Sequence, residues 1–445
     1  MTTVTVRGPS YRMSKNPKLI PSDIRKKAIE AKNNNDELNP SQLYNINWYN
    51  NDNSVRAIKL PKSLTGIQAN IIVLVGKEFP SGSHKVGPAF FTLIENEIEG
   101  KLKAGMSIIG PSTGNFGVGT AYVGKLRGYK AIVVMPDRMS KERYERIKKY
   151  KGSLDLTPGS ESDVYRVLDR VQNFYLKYPK KYLVLAQFEL MPNYRFHRFV
   201  TGAAVIEAGK LFGNGRVAAF VSAPGSAGTI AAGDEVKKKY KEAKIAAAEP
   251  IQCSTLYNIG LGSHKIEGIG DQMVTLIHNV SNTDLIVAVD DEECVEGLRT
   301  VEQSEEKEFL KLRGLFGISS VCNVLASIKV AKKMGLRSKD NVVTIATDGI
   351  DRYYSVVDSL KKVNSDQLQK NLEKIFHKQN TDWVLELDHY HLERLYNQKY
   401  RDWTPRGYKR EYLEEMKSQE FWEKEYGRIE EIDREIEKIA EPLGK

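Results

Sequence analysis

The stretch Ile71-Ile72-Val73-Leu74-Val75, then Gly76-Lys77-Glu78-Phe79 and Pro80-Ser81-Gly82-Ser83-His84-Lys85, decides the fold. Five consecutive apolar residues, mostly β-branched, read as a strand covered on both faces. A turn of Pro, Gly and Ser ends it. The run 86–102 behind the turn reads as a helix. Ligands of parallel α/β sheets sit beyond the carboxyl ends of the strands, so Lys85 would start a helix at the ligand-binding edge. Helix dipoles and partial desolvation there lower a lysine pKa and favour the neutral amine, which can form a Schiff base. The competing reading is a solvent-facing lysine at an ordinary helix start.

Working outward, the same strand–turn–helix pattern recurs. Strands are predicted at 71–75, 107–110, 131–136, 182–187, 217–223, 245–250, 285–289 and 342–347, with helical stretches between them. Two of their turns are rich in small residues. Ser112-Thr113-Gly114-Asn115-Phe116-Gly117 offers hydroxyls, an amide and backbone N–H groups able to grip a carboxylate. Gly225-Ser226-Ala227-Gly228-Thr229 stands between a strand and a helix, a setting that suits a phosphate. It is neither a Walker A motif nor GxGxxG.

In this order the motifs resemble the pyridoxal-phosphate enzymes of fold type II, and within them the cysteine synthase group. Ser81 to Lys85 resembles the Schiff-base lysine motif, Ser112 to Gly117 the substrate loop, and Gly225 to Thr229 the phosphate loop. Gln187-Phe188 with Pro192-Asn193, Ala248-Glu249-Pro250, His264-Lys265-Ile266-Glu267-Gly268-Ile269-Gly270, Gly317-Ile318-Ser319-Ser320 and Asp351-Arg352-Tyr353-Tyr354-Ser355 extend the likeness over about 56–360. Phe116 and Ala227 depart from the pattern, which has Thr and Gly there. His84 before the lysine is more like tryptophan synthase β chains.

The resemblance implies two three-layer α/β/α domains and the cofactor pyridoxal 5′-phosphate. It also implies β-replacement on an amino acid through an aminoacrylate. Lys85 would carry the cofactor and remove the α proton. His84, Asn115, Gly225, Ser226, Ala227, Gly228 and Thr229 would bind the cofactor. The partner of its ring nitrogen falls on Thr347 or Asp348, with the Thr347 hydroxyl preferred. Ser112, Thr113, Gly114, Phe116, Gln187 and Gly268 would bind substrate. The expected division is an irregular extension over 1–55, a smaller mobile domain over 56–200, a larger domain over 201–360 and a helical extension over 361–445. A homodimer is implied, with a partner subunit possible through the extensions. Three other readings stay open. They are an ammonia-lyase or dehydratase, thiolytic cleavage of an amino-keto acid with a partner chain, and a catalytically silent regulatory homologue.

Composition narrows the classes further. Of 445 residues 41% are hydrophobic and 28% charged, which excludes wholesale disorder. No apolar run approaches the roughly 18 residues of a membrane span, and no secretory signal is expected from the first residues. The net charge of +10 spreads over 67 basic and 57 acidic residues without a long basic block, so no nucleic-acid partner is expected. Cys253, Cys294 and Cys322 are too few and too scattered for a disulfide framework or metal motif, and a reducing cytoplasmic setting is expected. His389 and His391 have no accompanying carboxylate at ligand spacing, so no metal site is expected. Trp383, Trp403 and Trp422 are concentrated in the last segment, which is therefore expected to pack on the body or on a second subunit.

Overall fold

A computed structural model describes residues 8–439 except 113, 162, 179 and 358–362. Among the described residues, eleven strands form two sheets. They are β1 (Ala57–Lys59), β2 (Asn70–Val75), β3 (Ser107–Pro111), β4 (Lys130–Pro136), β5 (Ser153–Thr157), β6 (Tyr182–Val184), β7 (Ala219–Ser222), β8 (Lys244–Pro250), β9 (Leu285–Val289), β10 (Asn341–Ala346) and β11 (Val384–Glu386). The larger sheet runs β1-β2-β10-β7-β8-β9-β11, parallel except for its antiparallel edges β1 and β11. The smaller, β5-β4-β3-β6, is parallel throughout.

The apolar runs form strands because both faces of the larger sheet are covered. On β2, Ile72 and Leu74 enter one core while Ile71 and Val73 enter another. Val343 and Ile345 of β10 alternate with Val342 and Ala346 in the same way. This period of two, apolar on both sides, is what the unbroken hydrophobic runs encode. Helix Ile318–Lys333 covers one face, and Gly202–Lys210 with Ala232–Lys239 cover the other. The smaller sheet packs Ile109 and Val134 against Val167 and Val171 of helix Val164–Lys177.

The division expected at residue 200 does not follow the sheets. β2 lies in the larger sheet, paired along its length with β10, so the lysine turn that follows it is built on the larger unit. The chain then leaves to form β3–β6 and returns at β7. Sequence order hid this because parallel partners are joined only through long crossovers. The strand β11 was also not expected. Its three residues close the β9 edge inside a segment read as helical.

Both extensions lie on this body. Trp48 is fully buried and donates its indole N–H to Thr201 Oγ1 at 2.8 Å. The hydroxyl of Tyr11 donates to Glu95 at 2.5 Å. From the other end, Trp403 donates to the Val274 carbonyl at 2.8 Å. Arg195 pairs with Glu425 at 2.5 Å, and Arg198 donates to the Trp422 carbonyl at 2.9 Å. The two extensions also meet, through the Tyr11 N–H and Asp433 at 2.6 Å. Residues 8–55 thus form a packed cover that carries helices Tyr11–Lys15 and Ser22–Asn33. No helix among the described residues is long and apolar enough to cross a membrane. Among them, too, no three His, Cys, Asp or Glu side chains cluster as a metal site.

Candidate active site

The turns after β2, β3, β7, β8 and β10 converge on one cavity, where a parallel sheet presents its strand ends. Lys85 caps helix Val86–Ile98 and is only 8% exposed. Its Nζ donates to Ser226 Oγ at 3.3 Å. Burial pulls the amine pKa down from 10.5 to about 8, against the raising charges of Asp271 and Glu161. The neutral amine a Schiff base requires is therefore far more accessible near neutral pH than it would be at the ordinary value.

Ser226 and Thr229 turn the 225–229 loop toward the lysine. Ser226 Oγ also accepts from Asn193 Nδ2 at 3.0 Å. Gly225 adopts φ +48 and Ala227 φ +62. The left-handed region costs a residue bearing a Cβ about 1–2 kcal/mol. Ala227, where the family pattern has glycine, therefore holds a strained turn at the site itself. Gly228 lies against Asn193, with room for no side chain: a Cβ would stand 2.0 Å from Asn193 Oδ1.

From the smaller sheet comes the loop that opens helix Asn115–Arg127. Ser112 Oγ accepts from the N–H groups of Gly114 and Gly117, both at 2.9 Å, which fixes the loop. Gly114, Asn115 and Phe116 line the cavity with Ser112, Gln187 and Gly268. Thr113 lies outside the described residues. Asn115 Nδ2 donates to Asp348 at 2.5 Å, and its buried Oδ1 has no hydrogen-bond partner among the described residues.

Several expected cofactor contacts sit behind the cavity wall. His84 is fully buried between Trp48 and His197 and meets Thr229 Oγ1 at 3.2 Å, so it backs the phosphate-type loop and does not line the cavity. Desolvation and then the Lys85 charge push its pKa well below 6.5, keeping it neutral. Gly225, Ala227 and Gly228 likewise shape the loop without lining the cavity. At the end of β10, Thr347 lines the cavity, whereas Asp348 turns away and accepts from Tyr353 Oη at 2.6 Å.

Among the lining residues that the sequence did not single out as site residues are Glu267, Asp271, Ser319 and Asn323. Glu267 pairs with Arg143 at 2.8 Å and accepts from the Ser140 N–H at 3.0 Å. Arg143 is itself fully buried and also faces Glu161 at 3.5 Å. Glu267 lies in the quoted motif, but only its long-range partner Arg143 explains a buried acid there.

A buried lysine with a lowered pKa, facing a glycine-shaped anion loop across a parallel-sheet edge, defines an enzyme that holds an aldehyde cofactor bearing a phosphate. The donor set fits pyridoxal phosphate, with an amine for its carbonyl carbon, hydroxyls and loop amides for its phosphate, and the Asn115 amide beside them. The family model described as "Pyridoxal-phosphate dependent enzyme" matches residues 59–348, and the chain belongs to this family. A cysteine synthase from Staphylococcus aureus is 32% identical over 299 residues, 67% of this chain and 92% of the relative. A probable cysteine synthase from Bacillus subtilis is 34% identical over 282 residues, 62% of this chain and 85% of the relative. The crystal structure of a cysteine synthase from Entamoeba histolytica matches with a TM-score of 0.63 and 27% identity, covering 72% of this chain and 92% of that one. The terminal extensions lie outside the family match.

Proposed function

We propose that the chain catalyses pyridoxal-phosphate-dependent replacement at the β carbon of an amino acid, as its cysteine synthase relatives are named for doing. The observation that carries this is the meeting of Lys85, the 112–117 loop and the 225–229 loop in one cavity. Bound at Lys85, the cofactor supplies an electron-withdrawing ring that stabilises negative charge at the substrate α carbon. The protein's groups do the rest. Ser112, Thr113, Gly114 and Gln187 hold and orient the substrate carboxylate. Lys85 takes the α proton as general base. Ser226, Thr229 and the loop amides hold the phosphate. Thr347 would be the partner of the ring nitrogen, and a hydroxyl there would leave that nitrogen largely unprotonated, which suits loss of a β substituent. Burial of the site keeps water from competing. A reducing, cytoplasmic setting accords with three free, buried cysteines, and a homodimer rests on the likeness to the family.

The test is the visible spectrum of the purified protein and of Lys85→Ala, followed by product analysis with O-acetyl-L-serine and sulfide. A Schiff-base band lost in Lys85→Ala, together with cysteine formed only when sulfide is present, is expected. Pyruvate and ammonia at the same rate with and without sulfide would instead make the enzyme an eliminating lyase.

A further inference from the structure

Asp271 is a carboxyl that the reading above leaves without a task. It follows the Gly268-Ile269-Gly270 turn, is 6% exposed and lines the cavity that holds Lys85. Its Oδ2 has no hydrogen-bond partner among the described residues. A buried carboxylate normally gathers donors, because desolvation without them is costly. Glu267, the other acid in the wall, is engaged by Arg143 and the Ser140 N–H. Asp271 also borders a small recess with Glu249, Thr275 and His278, so one side of the carboxyl is not closed by packing. The backbone presenting it is unusual. Gly268 takes φ +99, Gly270 φ +78 and Gln272 φ +57, the last anchored by its side chain to the Leu261 carbonyl at 2.8 Å. Strain in a non-glycine residue next to an unpaired buried acid fits a group held for chemistry.

We propose that Asp271 is the acid–base residue of the β carbon. As the bond from Cβ to the leaving group breaks, the electron pair departs with that group, which takes the proton of the Asp271 carboxyl. As the nucleophile bonds to Cβ, its proton passes to the Asp271 carboxylate and restores the acid. The α proton stays with Lys85, so the two transfers use separate groups. Desolvation pushes the Asp271 acid up to about 7, against the pull of the Lys85 charge, so both protonation states are populated near neutrality. This inference rests on the β-replacement reading and adds the residue that moves the second proton.

The experiment compares wild type with Asp271→Asn on three substrates that differ only in leaving group: β-chloro-L-alanine, O-acetyl-L-serine and L-serine. Chloride needs no proton to depart, acetate little help, and hydroxide a full proton. Each variant is first checked for its visible cofactor band and for exchange of the α proton of L-alanine with deuterated water, which reads Lys85 alone. With both retained, release of the leaving group in a single turnover, read before any nucleophile is added, is expected to slow on the order of 100-fold or more with serine in Asp271→Asn while staying within about threefold on β-chloroalanine. Equal losses on all three substrates, no loss on any, or a wild-type chain that releases only chloride would overturn the proposal. If Asp271→Asn does not bind the cofactor, Asp271→Ser is measured in the same way, and failure of both makes Asp271 an assembly residue and overturns it too. A wild-type chain without a cofactor band, or inactive even on β-chloroalanine, overturns the β-replacement reading first and this proposal with it.

Discussion

The guanidinium of Arg143 stands 2.8 Å from the carboxylate of Glu267, and this buried ion pair ties the smaller sheet to the larger one beside the cavity. Arg143 lies on helix Lys141–Lys149, between β4 and β5, while Glu267 follows β8. Arg143 also sits behind the substrate loop, where a Cβ on Gly114 would fall 2.3 Å from its Nη1. Removing one partner strands the other charge, which costs about 3–5 kcal/mol. Arg143→Ala is therefore expected to lower stability by that order in urea unfolding and to raise KM for the amino acid. A variant with unchanged stability and KM would show that the pair carries no such load.

The 225–229 loop has no room behind Gly228. Gly228→Ala would push Asn193 from its bonds to Ser226 Oγ and to the Gln187 carbonyl, at 3.0 and 2.8 Å. Pyridoxal phosphate affinity, followed by absorbance titration, is expected to fall at least about tenfold, on the order of 1.4 kcal/mol. An unchanged affinity with an unchanged circular dichroism spectrum would mean that the loop relaxes without harm.

Lys85 titrates near 8 instead of 10.5 because it is desolvated. Only the neutral amine attacks an aldehyde. The rate at which the cofactor-free chain takes up pyridoxal phosphate is therefore expected to rise with pH up to about 8 and then level off. A rate still climbing beyond pH 9.5 would place the amine at its ordinary value and contradict the desolvated site.

Asp271 couples stability to function with opposite signs. Its folded-state acid sits at about 7, above the ordinary 3.8. The folded chain therefore holds more protons than the unfolded one across that window, and stability falls as pH rises from about 4 through 7. Asp271→Asn removes this loss. In the cofactor-free protein at pH 8 it is expected to be more stable than wild type, by about 2–4 kcal/mol at most. A variant whose stability changes between pH 4 and pH 8 by the same amount as wild type would show that the carboxyl is not the source.

Helix Gln419–Ile439 is an integral wall, since Trp422 is fully buried and Glu425 meets buried Arg195. Trp422→Ala is expected to cost about 3–5 kcal/mol by thermal or urea unfolding. A loss below about 1 kcal/mol would mean that the helix is dispensable packing.

The residues themselves determined the strands and the cofactor machinery. Unbroken apolar runs such as 71–75 mark strands buried on both faces. The turns ending in Lys85, Ser112–Gly117 and Gly225–Thr229 are local chemistry, written in consecutive residues. What consecutive residues do not carry is which way each side chain turns and what it meets. Thr347 and Asp348 are neighbours, and only the exit of β10 brings Thr347 to the cavity and turns the Asp348 carboxylate toward Tyr353 and Asn115. His84 looks like a cofactor ligand beside Lys85, until Trp48 and His197 are seen to bury it. Asp271 and the Arg143–Glu267 pair were invisible because their meaning lies in partners more than a hundred residues away, or in the lack of one. The placing of β2 in the larger sheet and the docking of both extensions have the same origin. Tertiary structure decided them because burial and ion pairing depend on contacts between distant segments, whereas periodicity and turn chemistry depend on neighbours alone.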